Sequence, residues 1–168
     1  TGGSGNLSSD SWILGQTDGQ ANGNSPPTAA WFRLVVGADP FGSNPPGQSS
    51  RVSLVIPAQG VCPGFALTDV ETLTSSNTDE WRLYVASVSY NATANETTAT
   101  LYRGSRDPAG VELNPLNLID VFSDTKTGRC ANPSATDPIY LGSAAPDERL
   151  RILFGSLDDV RFYDRALG

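Results

Sequence analysis

Residues 51–56 alternate, with Val52, Leu54 and Ile56 pointing one way and Arg51 and Ser53 the other. This two-residue period predicts a half-buried β-strand. Residues 28–36 hold Ala29-Ala30-Trp31-Phe32-Arg33-Leu34-Val35-Val36, a short run rich in aromatic and β-branched side chains that also reads as strand. The longest such run is Trp81-Arg82-Leu83-Tyr84-Val85-Ala86-Ser87-Val88-Ser89-Tyr90. Residues 91–95 turn the chain and residues 97–103 return it, so this part predicts an antiparallel hairpin. Shorter apolar runs predict strands at residues 11–14, 65–73 (one weak strand or two), 116–122, 139–142, 150–154 and 157–163. Between them, residues 37–50 carry three prolines and three glycines, and residues 123–138 read as a loop. No segment has a helical period and no repeat is visible. Many short strands separated by turn chemistry predict an all-β fold, a sandwich or a barrel.

A chain of 168 residues suits a single domain with a real core. Residues 1–27 read as an N-terminal tail and first strand, and residues 28–168 as the sandwich. The 18 acidic residues against 11 basic ones leave a net charge of -7. That balance repels nucleic acid and anionic lipid surfaces, and no apolar run reaches the roughly 20 residues of a membrane span. The absence of methionine and the start Thr1-Gly2-Gly3-Ser4-Gly5 point to a mature or excised piece. Cys62 and Cys130 are the only cysteines, each among glycines and prolines. They predict one disulfide and an oxidising, extracellular or cell- or virion-surface location, against the alternative of two free thiols. Asn6, Asn91 and Asn95 each open an N-glycosylation triplet.

The C-terminal run Phe154-Gly155-Ser156-Leu157-Asp158-Asp159-Val160-Arg161-Phe162-Tyr163-Asp164-Arg165-Ala166-Leu167 resembles the closing signature of the laminin-G-like branch of the concanavalin A-like lectin/glucanase jelly rolls. Trp81-Arg82-Leu83-Tyr84-Val85-Ala86, Thr100-Leu101-Tyr102-Arg103-Gly104 and Ile139-Tyr140-Leu141-Gly142 resemble further strands of that family, in the family's order. The resemblance spans residues 28–168 and implies a jelly-roll sandwich that recognises ligands outside the cell. It also implies one calcium ion at the sandwich rim, with Asp158 at the family's signature position and Asp18 as a second contributor. The competing reading has Asp158 capping a turn or pairing with an arginine. Within the same run, Asp159 and Arg161 lie on one strand face and are expected to pair.

Histidine is absent, which removes Ser-His-Asp and Cys-His catalysis and leaves too few soft ligands for structural zinc. No phosphate-cradling or dinucleotide motif is present. Glucanase relatives align three acids as Glu-x-Asp-x-(x)-Glu on one strand. Here the glutamates are Glu71, Glu80, Glu96, Glu112 and Glu148, and none stands in such a motif. Asp69 and Glu71 share a face but lack a third partner, so they read as solvated surface carboxylates. Trp12, Trp31 and Trp81 read as core, whereas Tyr84, Tyr90 and Tyr102 on the hairpin are candidate platforms for a sugar ring. The resemblance, more than any of these residues, implies a non-catalytic extracellular recognition or adhesion module that binds glycan or protein. The alternative is a structural subunit that assembles with identical copies into a filament, adhesin stalk or virion decoration. A glycoside hydrolase of the glucanase type ranks third.

Overall fold

The fold was read from a computed structural model, which describes residues 11–17, 30–37, 51–70, 81–107, 118–130, 137–143, 156–157 and 159–163. Eight strands run through these residues: β1 (Ser11–Thr17), β2 (Ala30–Gly37), β3 (Arg51–Ile56), β4 (Phe65–Thr68), β5 (Trp81–Asn91), β6 (Glu96–Asp107), β7 (Leu118–Thr127) and β8 (Ile139–Leu141). They form a five-stranded sheet ordered β4-β3-β2-β1-β8 and a three-stranded sheet ordered β5-β6-β7. Every strand pair is antiparallel. The protein is an all-β, two-sheet antiparallel sandwich: the strand-and-turn rhythm of the sequence predicts the all-β class, and of the two architectures it allows the chain takes the sandwich rather than the barrel.

The core lies where the sheets face each other. Leu34, Val52, Leu54, Ile56, Phe65 and Leu67 come from the larger sheet, and Ala99 and Leu101 from β6; Tyr84 and Phe122 pack against the cluster. Removing such side chains from water stabilises the fold by roughly 1.5–3 kcal/mol for each large one. β3 departs from its expected half-burial. Ser53 and Val55, on the face away from Leu54, are also buried. The Ser53 hydroxyl is satisfied there by the Thr68 hydroxyl at 2.9 Å. The alternation of the sequence reflects a polar residue with a local partner, not a wet face.

Cys62 and Cys130 form the expected disulfide, with Cα atoms 5.1 Å apart and a sequence separation of 68. It ties the loop after β3 to the loop after β7. Closing so long a loop contributes about 4 kcal/mol in the chain-entropy account.

Two expectations about elements are corrected. β7 runs on through Thr127, across the first part of the expected loop at residues 123–138. Its polar end is held to β6 by Thr98–Thr125 and Thr100–Ser123 hydroxyl bonds of 2.9 and 3.0 Å, cross-strand pairs that leave no apolar period. Conversely, the described residues within 157–163 form no strand, and Val160, Phe162 and Tyr163 are exposed. Asp159 adopts the left-handed conformation (φ 51°), which breaks an extended ladder. The expected Asp159–Arg161 ion pair is present at 2.6 Å.

Candidate functional site

The hairpin β5–β6 sorts its side chains by register. Tyr84 stands opposite Arg103, Val88 opposite Ala99 and Tyr90 opposite Thr97. Ala99 and Leu101 are in the core, so Tyr84, Ala86, Val88 and Tyr90 lie on the sheet's inner face. Val85, Ser87 and Ser89 lie on its outer face, opposite Tyr102, Thr100 and Thr98. The three candidate tyrosines are therefore not one platform. Tyr84 and Tyr90 share a face but stand six positions, roughly 20 Å, apart along the strand. Tyr102 points the other way and is half-buried.

Tyr84 is anchored inside. Its hydroxyl donates to the Asp69 carboxylate at 2.9 Å, and the Arg103 guanidinium lies 3.3 Å from the other carboxylate oxygen. Asp69 has no exposed surface, so the reading of it as a solvated carboxylate is corrected. Its backbone N–H donates to the Val52 carbonyl at 2.9 Å, which fixes it at the end of β4. Burial, followed by the hydrogen bond and the negative charge of Asp69, pushes the Tyr84 phenol far above its ordinary range. The carboxylate joins the two sheets through polar contacts and is shielded from solvent. Glu71 lies outside the described residues.

Tyr90 sits differently. It is 40% exposed, yet its position is fixed. Its hydroxyl donates to Asn95 Oδ1 at 2.9 Å, and the Arg129 guanidinium lies over the ring, 5.7 Å from the centroid. Asn95 takes the left-handed conformation (φ 52°) that asparagine tolerates in a turn, and its carbonyl accepts the Gly128 N–H at 2.7 Å. Gly128 has φ 94°, and a Cβ there would meet a Val61 methyl at 2.7 Å, so only glycine fits. The Thr97 hydroxyl donates to the Gly128 carbonyl at 2.7 Å and accepts the Cys130 N–H at 3.0 Å. Tyr90 and Arg129 are thus held by the hairpin turn, the Gly128 turn and the disulfide. Arg129 is absent from the expectations because an isolated loop arginine carries no motif; its only signal is its place beside Cys130.

Asn91 is exposed at the end of β5, and its Oδ1 accepts the N–H groups of Thr93 and Ala94 at 3.0 and 3.2 Å, which closes the turn. Of the two hairpin glycosylation triplets, Asn91-Ala92-Thr93 is exposed throughout, whereas Asn95-Glu96-Thr97 ends on a buried threonine. Asn6, Asp18 and Asp158 lie outside the described residues. Among the described residues no group of three or more acidic or cysteine side chains is arranged to hold a metal ion. The chain matches no protein-family model, no curated protein and no solved structure.

Proposed function

We propose that this chain is a non-catalytic recognition module of the laminin-G-like, concanavalin A-like jelly-roll type, working outside the cell and binding glycan or protein. The observation that carries this reading is the Tyr90 corner. An aromatic ring is left in solvent, yet its hydroxyl, its face and its backbone are each fixed by a separate partner. A ligand that meets a ring held in this way gives up less conformational freedom on binding. A sugar ring suits the surface, since its C–H face stacks on an aromatic while its hydroxyls reach nearby amides. The disulfide fits an oxidising compartment. A calcium ion at the rim, held by Asp158 and Asp18, remains part of the proposal through the resemblance of the C-terminal run.

A glycan-array screen with and without calcium, on monodisperse protein, tests the reading. Saturable binding that Tyr90→Ala abolishes is the expected result. Binding to no glycan in either condition would overturn glycan recognition.

Assembly with identical copies is the second reading, and β5 favours it. Among the described residues β5 is the edge of its sheet. It exposes Trp81, Val85, Val88 and Tyr90, and over 11 residues it carries no proline, lysine or acid. Edge strands are commonly protected by such residues.

A further inference from the structure

The Tyr90 corner carries a charge that narrows its ligand. Arg129 is exposed, and its one contact among the described residues is the Tyr90 ring. On a chain with 18 acidic and 11 basic residues, carboxylates are the commoner partner on offer, yet among the described residues none pairs with this guanidinium. Two other basic side chains of the smaller sheet are paired with acids. Lys126 is 2.7 Å from Asp124, and Arg103 is 3.3 Å from Asp69. Glu96, the acid next in sequence to Asn95, stands in register with Asn91 and Thr127, on the face opposite Tyr90.

We propose that the Tyr90–Arg129 corner binds the carboxylate of an acidic sugar, a uronate-type residue in a glycan. The inference rests on the recognition reading above and names its ligand class. The planar guanidinium offers paired N–H donors that match the two oxygens of a carboxylate. The cation–π contact with Tyr90 holds the guanidinium beside the ring. Val61, whose methyl abuts the Gly128 turn, and Val88, two positions before Tyr90 on the same strand, are exposed and supply apolar surface for the sugar's C–H face. The net charge of -7 opposes polyanions at long range, but at physiological salt charges are screened over about 8 Å, so the local cation governs contact.

The test is affinity electrophoresis of the full chain in native gels containing polygalacturonate, alginate or hyaluronan, with neutral galactan and dextran as references. The expected result is retardation by at least one polyuronate and by neither neutral polymer. Arg129→Gln should weaken that binding about tenfold or more, the effect of losing a charge-assisted hydrogen bond, and Arg129→Lys should restore part of it. Lys126→Gln removes an equal charge that already has a partner and should leave binding unchanged. Equal loss in Arg129→Gln and Lys126→Gln would reduce the effect to general attraction and overturn the site. Retardation by a neutral polymer, unmoved by Arg129→Gln, would overturn the acidic-sugar inference while glycan recognition stands. Binding to none of the polymers, together with a blank glycan array, would overturn both.

Discussion

Asp69 shows how one residue can join two layers. Its backbone extends the β3–β4 pairing while its side chain reaches across to Tyr84 and Arg103 on the other sheet. A buried acid and base stabilise little relative to an apolar pair of the same shape, but each is costly once the other is gone. Asp69→Ala should therefore destabilise the fold by about 3–5 kcal/mol, read by urea denaturation. Asp69→Leu combined with Arg103→Met should lose clearly less. A double variant as unstable as the single one would show that the charge pair itself is needed. The same contact predicts an alkaline limit. In the unfolded chain Tyr84 ionises near pH 10, as tyrosines ordinarily do, whereas in the fold its pKa is raised. Above that pH the unfolded state releases the proton first, so its free energy drops relative to the native state and stability falls. Below about pH 10 both states hold the proton and the contribution is fully present. In Tyr84→Phe, stability measured against pH should decline less steeply above pH 10 than in the parent.

At the scale of elements, β6 organises the smaller sheet, with β5 on one side and β7 on the other. It also holds the disulfide corner through Thr97, whose buried hydroxyl serves the Gly128 carbonyl and the Cys130 N–H together. Thr97→Val keeps the shape and leaves both groups unpaired, so it should cost about 1–3 kcal/mol, while Thr97→Ser should recover most of that in thermal melts. Replacing both cysteines with serine should cost about 4 kcal/mol. A much smaller loss would mean that the Gly128 turn holds without its bridge. The hairpin was legible because Trp81 to Tyr90 and Thr97 to Arg103 combine β-forming side chains with an Asn-rich turn. β7 was half legible. Its apolar start at residues 118–122 reads as strand, but Asp124-Thr125-Lys126-Thr127 is paired by hydroxyl bonds and an ion pair that leave no hydrophobic period. The disulfide could be read from two cysteines in turn-rich surroundings, because no other pairing exists. The inter-sheet tie could not. Asp69, Tyr84 and Arg103 are far apart in sequence, and a buried acid looks like any surface acid until its partners are in place. Tyr90 and Tyr84 likewise look equivalent on one strand, and only the buried Asp69, just past β4, separates the anchored ring from the open one.

For the molecule as a whole, the open question is whether it works alone or in an array, and β5 makes that measurable. Two copies meeting along this edge, antiparallel, would join their sheets by backbone hydrogen bonds and cover Val85 and Val88. The strand's only charge is Arg82, so the strands themselves do not repel. The net charge of -7 on each chain does, and that repulsion weakens as salt screens it. Association through β5 should therefore increase with ionic strength in sedimentation-velocity runs. Val88→Lys separates edge pairing from nonspecific clumping. It moves the net charge from -7 to -6, since a neutral residue becomes +1. If association reflects only how much charge each chain carries, this variant should associate more. If β5 is the interface, a lysine on the edge blocks it and the variant should sediment as a monomer at every salt concentration. Val88 is 39% exposed, so the fold itself should tolerate the change. A parent chain that stays monomeric at high salt and high concentration would rule out assembly through β5.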